Sequence, residues 1–300
     1  MIQSQVAQGK ISIEKMCELA KVSRASFYRN WLVSQPQQAE MEIREAVHRV
    51  ALKRRMYGYR RVLAMLKREG IVVGETVVRR ILRTDNLLAL RKRKFVATSD
   101  SKHGFTVHPN LAQYVKVTAL NQLWVADITY LRLEREFVYL AVVLDVHSRR
   151  VVGWALGRSL QTALPLAALN QAIDRRQPGP GVVHHSDRGS QYASDDYVKR
   201  LEQMKMVISM SRPARPWENG FCESLMNTLK SEQINCVTYA TLEQLLPHVE
   251  EFIEDFYNKE RLHSALGYCS PVEFEQTAAI STTPATWSFP RHKEIFPDAA

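Results

Sequence analysis

Eight consecutive apolar residues, Phe137 to Leu144 (Phe-Val-Tyr-Leu-Ala-Val-Val-Leu), constrain the fold more than any other feature of the chain. A continuous apolar run bounded by charge reads as a strand in the middle of a sheet, rather than one with a wet face. Its neighbours in sequence are also strand-like, about 123 to 133 before it and 150 to 157 after it. A helix from Thr162 to Arg176, a strand ending at Asp187, a helix from Ala193 to Lys205 and a short strand from Val207 to Met210 follow. Three strands and then alternating helix and strand imply an α/β architecture of the α+β kind, a mixed sheet covered by helices.

Charges inside such a framework need a reason. Asp127 interrupts the apolar run Trp124-Val125-Ala126-Asp127-Ile128-Thr129-Tyr130, and Asp187 closes Val182-Val183-His184-His185-Ser186-Asp187 before Arg188-Gly189. Glu223 lies instead on a helix opened by Pro216, with Glu218 near its positive end. On that helix Phe221, Leu225 and Leu229 read as the apolar stripe, with Asn219, Glu223, Asn227 and Lys230 on the opposite side. Lys230 follows Glu223 by two helical turns. If the two strands are neighbours and the helix packs across them, Asp127, Asp187 and Glu223 supply oxygen ligands for two hard divalent cations acting on a phosphodiester. Gly189 either lets backbone approach a substrate or makes a turn. His185 shares the sheet face of Asp187 and is expected to hydrogen-bond structurally.

Net charge divides the chain. Residues 1 to 100 hold 21 Lys and Arg against 9 Asp and Glu, and the other 200 residues hold 20 against 22. All the positive excess is N-terminal, which points to a polyanion-binding front half. Ile13 to Ala20 and Arg24 to Trp31, with Ser23 as cap, read as a helix-turn-helix-like pair presenting Arg24 and Tyr28 to DNA. A second helical segment has helices near 40 to 55, 59 to 69 and 74 to 84. Arg60 and Arg61 sit at its first break, and Arg79, Arg80 and Arg83 lie on its last helix, suited to phosphate or groove contact. Arg91-Lys92-Arg93-Lys94 and the polar stretch to about 122 read as a flexible basic linker.

The expected boundaries are therefore 1–34 and 40–95 for two helix-turn-helix segments, 96–120 for a linker, 121–275 for a catalytic domain and 276–300 for a tail. The catalytic domain should finish with an amphipathic helix from Leu242 to about Tyr257. Cys17, Cys222, Cys236 and Cys269 are scattered and read as reduced thiols. No run of eighteen apolar residues and no signal-peptide pattern occurs, so a cytoplasmic protein without membrane association is the expectation.

The residues around the carboxylates resemble the DDE transposases and integrases, most closely insertion-sequence transposases of the IS-three type. The resemblance rests on Trp124 to Tyr130, Leu144 to Trp154, His184 to Tyr192, Glu218 to Ser224 with Leu229-Lys230, and Arg261 to Tyr268 with Ser270-Pro271. It spans roughly 120 to 275, and the segment from about 43 to 95 is similar to the helix-turn-helix that precedes the domain in that family. The resemblance implies a ribonuclease-H-like integrase core behind all-α DNA-binding segments. It makes Asp127, Asp187 and Glu223 the ligands of two Mg²⁺ ions, with Mn²⁺ as a substitute. Lys230 is then a DNA contact near the reacting phosphate, and Arg261 and His263 either touch DNA or brace the C-terminal helix.

The same resemblance implies cleavage and strand transfer at terminal inverted repeats, into target DNA, by a homo-oligomeric synaptic complex. It also implies an upstream-frame partner with a helix-turn-helix and a leucine zipper. Two other readings share the fold: a catalytically inactive regulator of transposition, and a nuclease that cleaves without joining.

Overall fold

The computed structural model describes residues 12–19, 38–89, 107–212, 215–234 and 237–281. Arg24 and Tyr28, the run Arg91 to Lys94 and the tail beyond 281 lie outside them. The chain divides into two compact units, 1–89 and 90–300.

In the first unit, helix α1 spans Ile13–Leu19, α2 Gln38–Lys53, α3 Tyr59–Arg68 and α4 Glu75–Thr84. The last three bury Val47, Val50, Val62, Leu66, Val78, Ile81 and Leu82. The turn between α3 and α4 is set by Gly70, whose φ of 80° is the left-handed conformation glycine adopts without strain. Gly70 N–H then reaches the Lys67 carbonyl and Ile71 N–H that of Leu66, the two bonds that close a helix in a Schellman motif. Asn86 ends α4 in the same way at φ 56°. Beside it the Asp85 carboxylate receives Arg44 and His48 of α2, which ties the first helix of this trio to the last.

The second unit is built on β1 (Leu123–Arg132), β2 (Phe137–Asp145), β3 (Val151–Gly157), β4 (Val183–Ser186) and β5 (Val207–Met210), in the order β3-β2-β1-β4-β5. β1, β2 and β3 are antiparallel, whereas β4 and β5 join β1 in parallel. Side-chain alternation sends Val125, Leu140, Val142 and Leu144 to one face and Trp124, Ala126, Ala141 and Val143 to the other. The second face is covered by α5 (Ala163–Arg176) and α6 (Asp195–Gln203). Gly153 admits α5, since a Cβ there would stand 2.1 Å from the Ala168 carbonyl oxygen. The first face is covered by α7 (Gly220–Glu232) and by α8 (Leu242–Glu250), which continues as a π-helical stretch, Glu251–Glu260. A last helix, α9 (Pro271–Ser281), is fastened by Glu275 to Arg150 and Arg176.

This is the mixed, helix-covered sheet expected, with β1 at its centre and β2 and β4 on either side. Part of the expected linker behaves differently. Residues 107 to 120 include a short turn, Ala112–Tyr114, and the N–H groups of Leu111 and Ala112 both donate to Ser209 Oγ on β5. Two backbone donors satisfied by one buried hydroxyl make this segment part of the domain, not a tether. Among the described residues no helix is long and apolar enough to cross a membrane.

Candidate active site

Strand register brings two of the three carboxylates together. β1 and β4 pair with Val125 opposite His185. Two residues further along each chain lie Asp127, on the β1 face covered by α7, and Asp187, one residue past the end of β4. A backbone N–H aims each of them: Ile128 donates to Asp127 Oδ1 and Gly189 to Asp187 Oδ1, both at 2.9 Å. A Cβ on Gly189 would stand 3.0 Å from that Asp187 oxygen, so the missing side chain leaves room for the turn. Burial, and then the charge of Asp187, push the Asp127 carboxyl up to about 7; Glu223 adds to the rise, while the Ile128 N–H and Lys230 oppose it.

Glu223 is within electrostatic reach of this pair but faces solvent. With Gly220, Ser224, Asn227, Thr228 and Ser231 it lines an open groove of about 390 Å³ along α7. Among the described residues no three His, Cys, Asp or Glu side chains stand close enough to hold one ion. Asp127 feels the charge of both other carboxylates, Asp187 more strongly than Glu223.

Lys230 is half-buried, its Nζ 4.4 Å from the centroid of the Tyr130 ring. Burial lowers its pKa and Asp127 works against that. Helix α7 docks through Cys222, Leu225, Met226 and Leu229. Phe221, expected in that stripe, is half-buried against the same core and also carries the Arg149 guanidinium, 4.0 Å from its ring centroid.

Several residues that fix this geometry are not evident from sequence. Asn219, expected on the polar side with Glu223, is buried, and its Nδ2 donates to the carbonyl of Ala126, the residue before Asp127. Glu218 accepts from Asn110 Nδ2, from Arg212 N–H and from Arg212 Nε. His185 carries the expected structural bond: with two N–H groups already on Ser209 Oγ, that hydroxyl donates its own proton to His185 Nδ1 at 2.8 Å. Burial pulls His185 down to about 4, so the ring is neutral; the charge of Glu218, and then its backbone carbonyl, oppose the drop. Glu218, Asn219 and His185 together seat the entry of α7 against the strands bearing Asp127 and Asp187. The signal in the sequence was their adjacency to the carboxylates.

The expected DNA contacts separate into two kinds. In the first unit Arg60, Arg79, Arg80 and Arg83 are exposed. Arg60 and Arg79 flank the Tyr59 ring at 5.5 and 4.6 Å, while Arg61 is half-buried beside Tyr57. Arg261 takes the bracing alternative: it is buried and paired with Glu232 at 2.9 Å, which ties it to α7. His263 stacks edge-on against Tyr257 at 5.0 Å and hydrogen-bonds Cys269 through its backbone, again a bracing position.

Comparison with known proteins agrees with this division. Integrase core domain models match residues 117–216 and 204–271, and a helix-turn-helix-like domain model matches 37–95. An insertion element IS600 31 kDa protein of Shigella sonnei is 37% identical over 269 residues, 87% of this chain and 97% of that one. The InsF transposase of insertion sequence IS3A from Escherichia coli strain K12 is 34% identical over 274 residues, 89% and 95% of the two chains. A chain of the simian T-cell lymphotropic virus intasome is similar at 15% identity and a TM-score of 0.46, covering 77% of this chain and 74% of that one. With relatives of that identity matched along nearly their whole length, the chain belongs to the insertion-sequence transposases with an integrase core domain, proteins of DNA recombination and transposition.

Proposed function

We propose that this transposase cleaves DNA strands at the ends of its insertion sequence and joins them to target DNA at one acidic centre formed by Asp127, Asp187 and Glu223. The observation that supports this reading is that Asp127 on β1 and Asp187, just past the end of the adjacent parallel strand β4, lie close enough for the charge of one to raise the carboxyl of the other, with Glu223 adding to it. The donor set suits a hard divalent cation, because every available oxygen is a carboxylate and Asp127 is held up to about 7 by burial beside like charge. Bound Mg²⁺, for which Mn²⁺ can substitute, would supply an activated water or 3′-hydroxyl and stabilise the leaving oxygen.

The chain's own residues perform the rest. Asp127 and Asp187, each fixed by a backbone N–H, present oxygens without rotamer search. Glu223 completes the set from α7 by turning in from the groove. Lys230 meets a phosphate of the bound strand from the Asp127 side, steadied over Tyr130. Arg60, Arg79, Arg80 and Arg83 of the first unit hold the terminal DNA through phosphates. Two DNA ends require at least two copies of the site, so the working form is an oligomer.

The test is incubation of end-containing DNA with Mg²⁺ or Mn²⁺. Wild type should yield nicked ends and joined strands, and Asp187→Asn neither. Equal activity of the two proteins would refute the acidic centre, and cleavage without joined product would make the protein a nuclease.

A further inference from the structure

Three tryptophans lie among the described residues, and two have structural work. Trp124 is buried under α5 and α6 with its Nε1 toward Asn121, and Trp154 donates its Nε1 hydrogen to Glu254 at 2.8 Å. Trp217 has neither role. Its residue is 65% exposed, in the short turn Pro216–Asn219 that leads into α7. An indole left in water gives up the burial that ordinarily holds such a residue in place.

The backbone under it is nonetheless fixed. Glu218, on one side, is clamped by Asn110 and Arg212. Asn219, next along, is buried and bonded to the carbonyl of Ala126, the neighbour of Asp127. Exposed aromatic surface on a rigid base, one residue from a group that touches the strand of Asp127, is arranged to receive something rather than to pack. A cation stands beside it: the Arg215 guanidinium lies 5.6 Å from the ring centroid.

A flat π surface beside a guanidinium group matches one chemistry, a nucleobase with its phosphate. A base inside a duplex has no open face, so the base must be out of the stack. We infer that Trp217 is a stacking platform for an unpaired nucleobase of the DNA end beside the reacting phosphodiester, with Arg215 on that nucleotide's phosphate. The inference rests on the acidic centre proposed above for its location, but not for its measurement.

The experiment uses the full chain in the Asp187→Asn background without divalent cation, so that no strand is cut. Binding is followed by fluorescence anisotropy on three probes that share one terminal-repeat duplex: a blunt end, an end with three unpaired nucleotides, and the same fork with abasic sites in place of the unpaired bases. Trp217→Ala should bind the fork roughly 5- to 100-fold more weakly than the parent, the range expected for one lost base stack. Its affinity for the blunt and abasic probes should stay within about twofold of the parent, because neither offers a base to stack. Trp217→Phe should keep most of the preference for the fork. Equal binding of the fork by parent and Trp217→Ala would overturn the inference, as would an equal loss on all three probes, which belongs to a general cationic surface. Should Asp187→Asn prove as active as wild type, the acidic centre fails while these affinities still decide the role of Trp217.

Discussion

Arginine does opposite work in the two units. On α4, Arg79 and Arg80 lie at the surface in loose pairs with Glu75 and Glu40, and more than half of each side chain meets solvent. In the integrase core, Arg176 and Arg261 are closed off, each against a carboxylate that is itself buried, Glu275 and Glu232. The first kind of pair contributes little to stability and is easily exchanged for a phosphate. The second is costly to break, because removal of one partner leaves a buried charge unanswered. The same side chain is thus open to a ligand in one unit and a fastening in the other, and burial decides which.

The largest expected effect separates the units by function. Asp127→Asn and Asp187→Asn should each lower end cleavage by more than about a hundredfold, beyond the loss seen when only a ligand's supporting partner is changed. Affinity for terminal-repeat DNA should hold, since the exposed arginines are untouched. A parallel fall in binding and cleavage, measured by gel shift and product analysis on the same DNA, would erase the division.

Next in size is a test of the fastening role. Arg261→Ala should destabilise the core by about 3 to 5 kcal/mol, since Glu232 would be left buried and unpaired. Arg79→Ala should change stability by less than about 1 kcal/mol. Chemical denaturation of both variants reads the contrast directly. An Arg261→Ala protein of normal stability but weakened DNA binding would return Arg261 to the role its position in the sequence suggested.

Those residues show what sequence could and could not say. The two aspartates were legible as candidates because each is a charge set against an apolar strand-like run. Glu223 was legible as a candidate, but its exposure was not. Helix orientation depends on which stripe docks, and Cys222 and Met226 join Leu225 and Leu229 there, with Phe221 half-buried against the same core. Arg261 stayed open between two roles because its partner, Glu232, is 29 positions away. For His185 a structural bond was legible but not its partner, Ser209, and Asn219 was obscured for the same reason: its bond is to a carbonyl that only the assembled sheet brings near. Local periodicity survives without tertiary structure, and side-chain partnership does not.

A smaller effect depends on pH. Burial alone would raise the Glu275 carboxyl, but Arg176, with Ser148 and Arg150, holds it below the ordinary value. A carboxyl depressed in the folded state contributes stability that is complete above its unfolded pKa, about 4.3, and is lost as pH falls through the lower folded value. The melting temperature of wild type should therefore exceed that of Glu275→Gln at pH 7, and the gap should narrow below about pH 4. A gap that stays constant down to the lowest folded pH would mean that Glu275 acts through packing alone.

The smallest effect lies at the exposed end of the comparison. Arg83 is surface-exposed on α4, so Arg83→Ala should leave the melting temperature unchanged within error. If it meets a phosphate, the slope of log affinity against log salt should fall by about one, and by a similar amount for specific and unrelated DNA. A variant that loses affinity for terminal repeats alone, with the slope intact, would place Arg83 against a base edge instead, and the exposed arginines would then divide again into those that hold the duplex and those that read it.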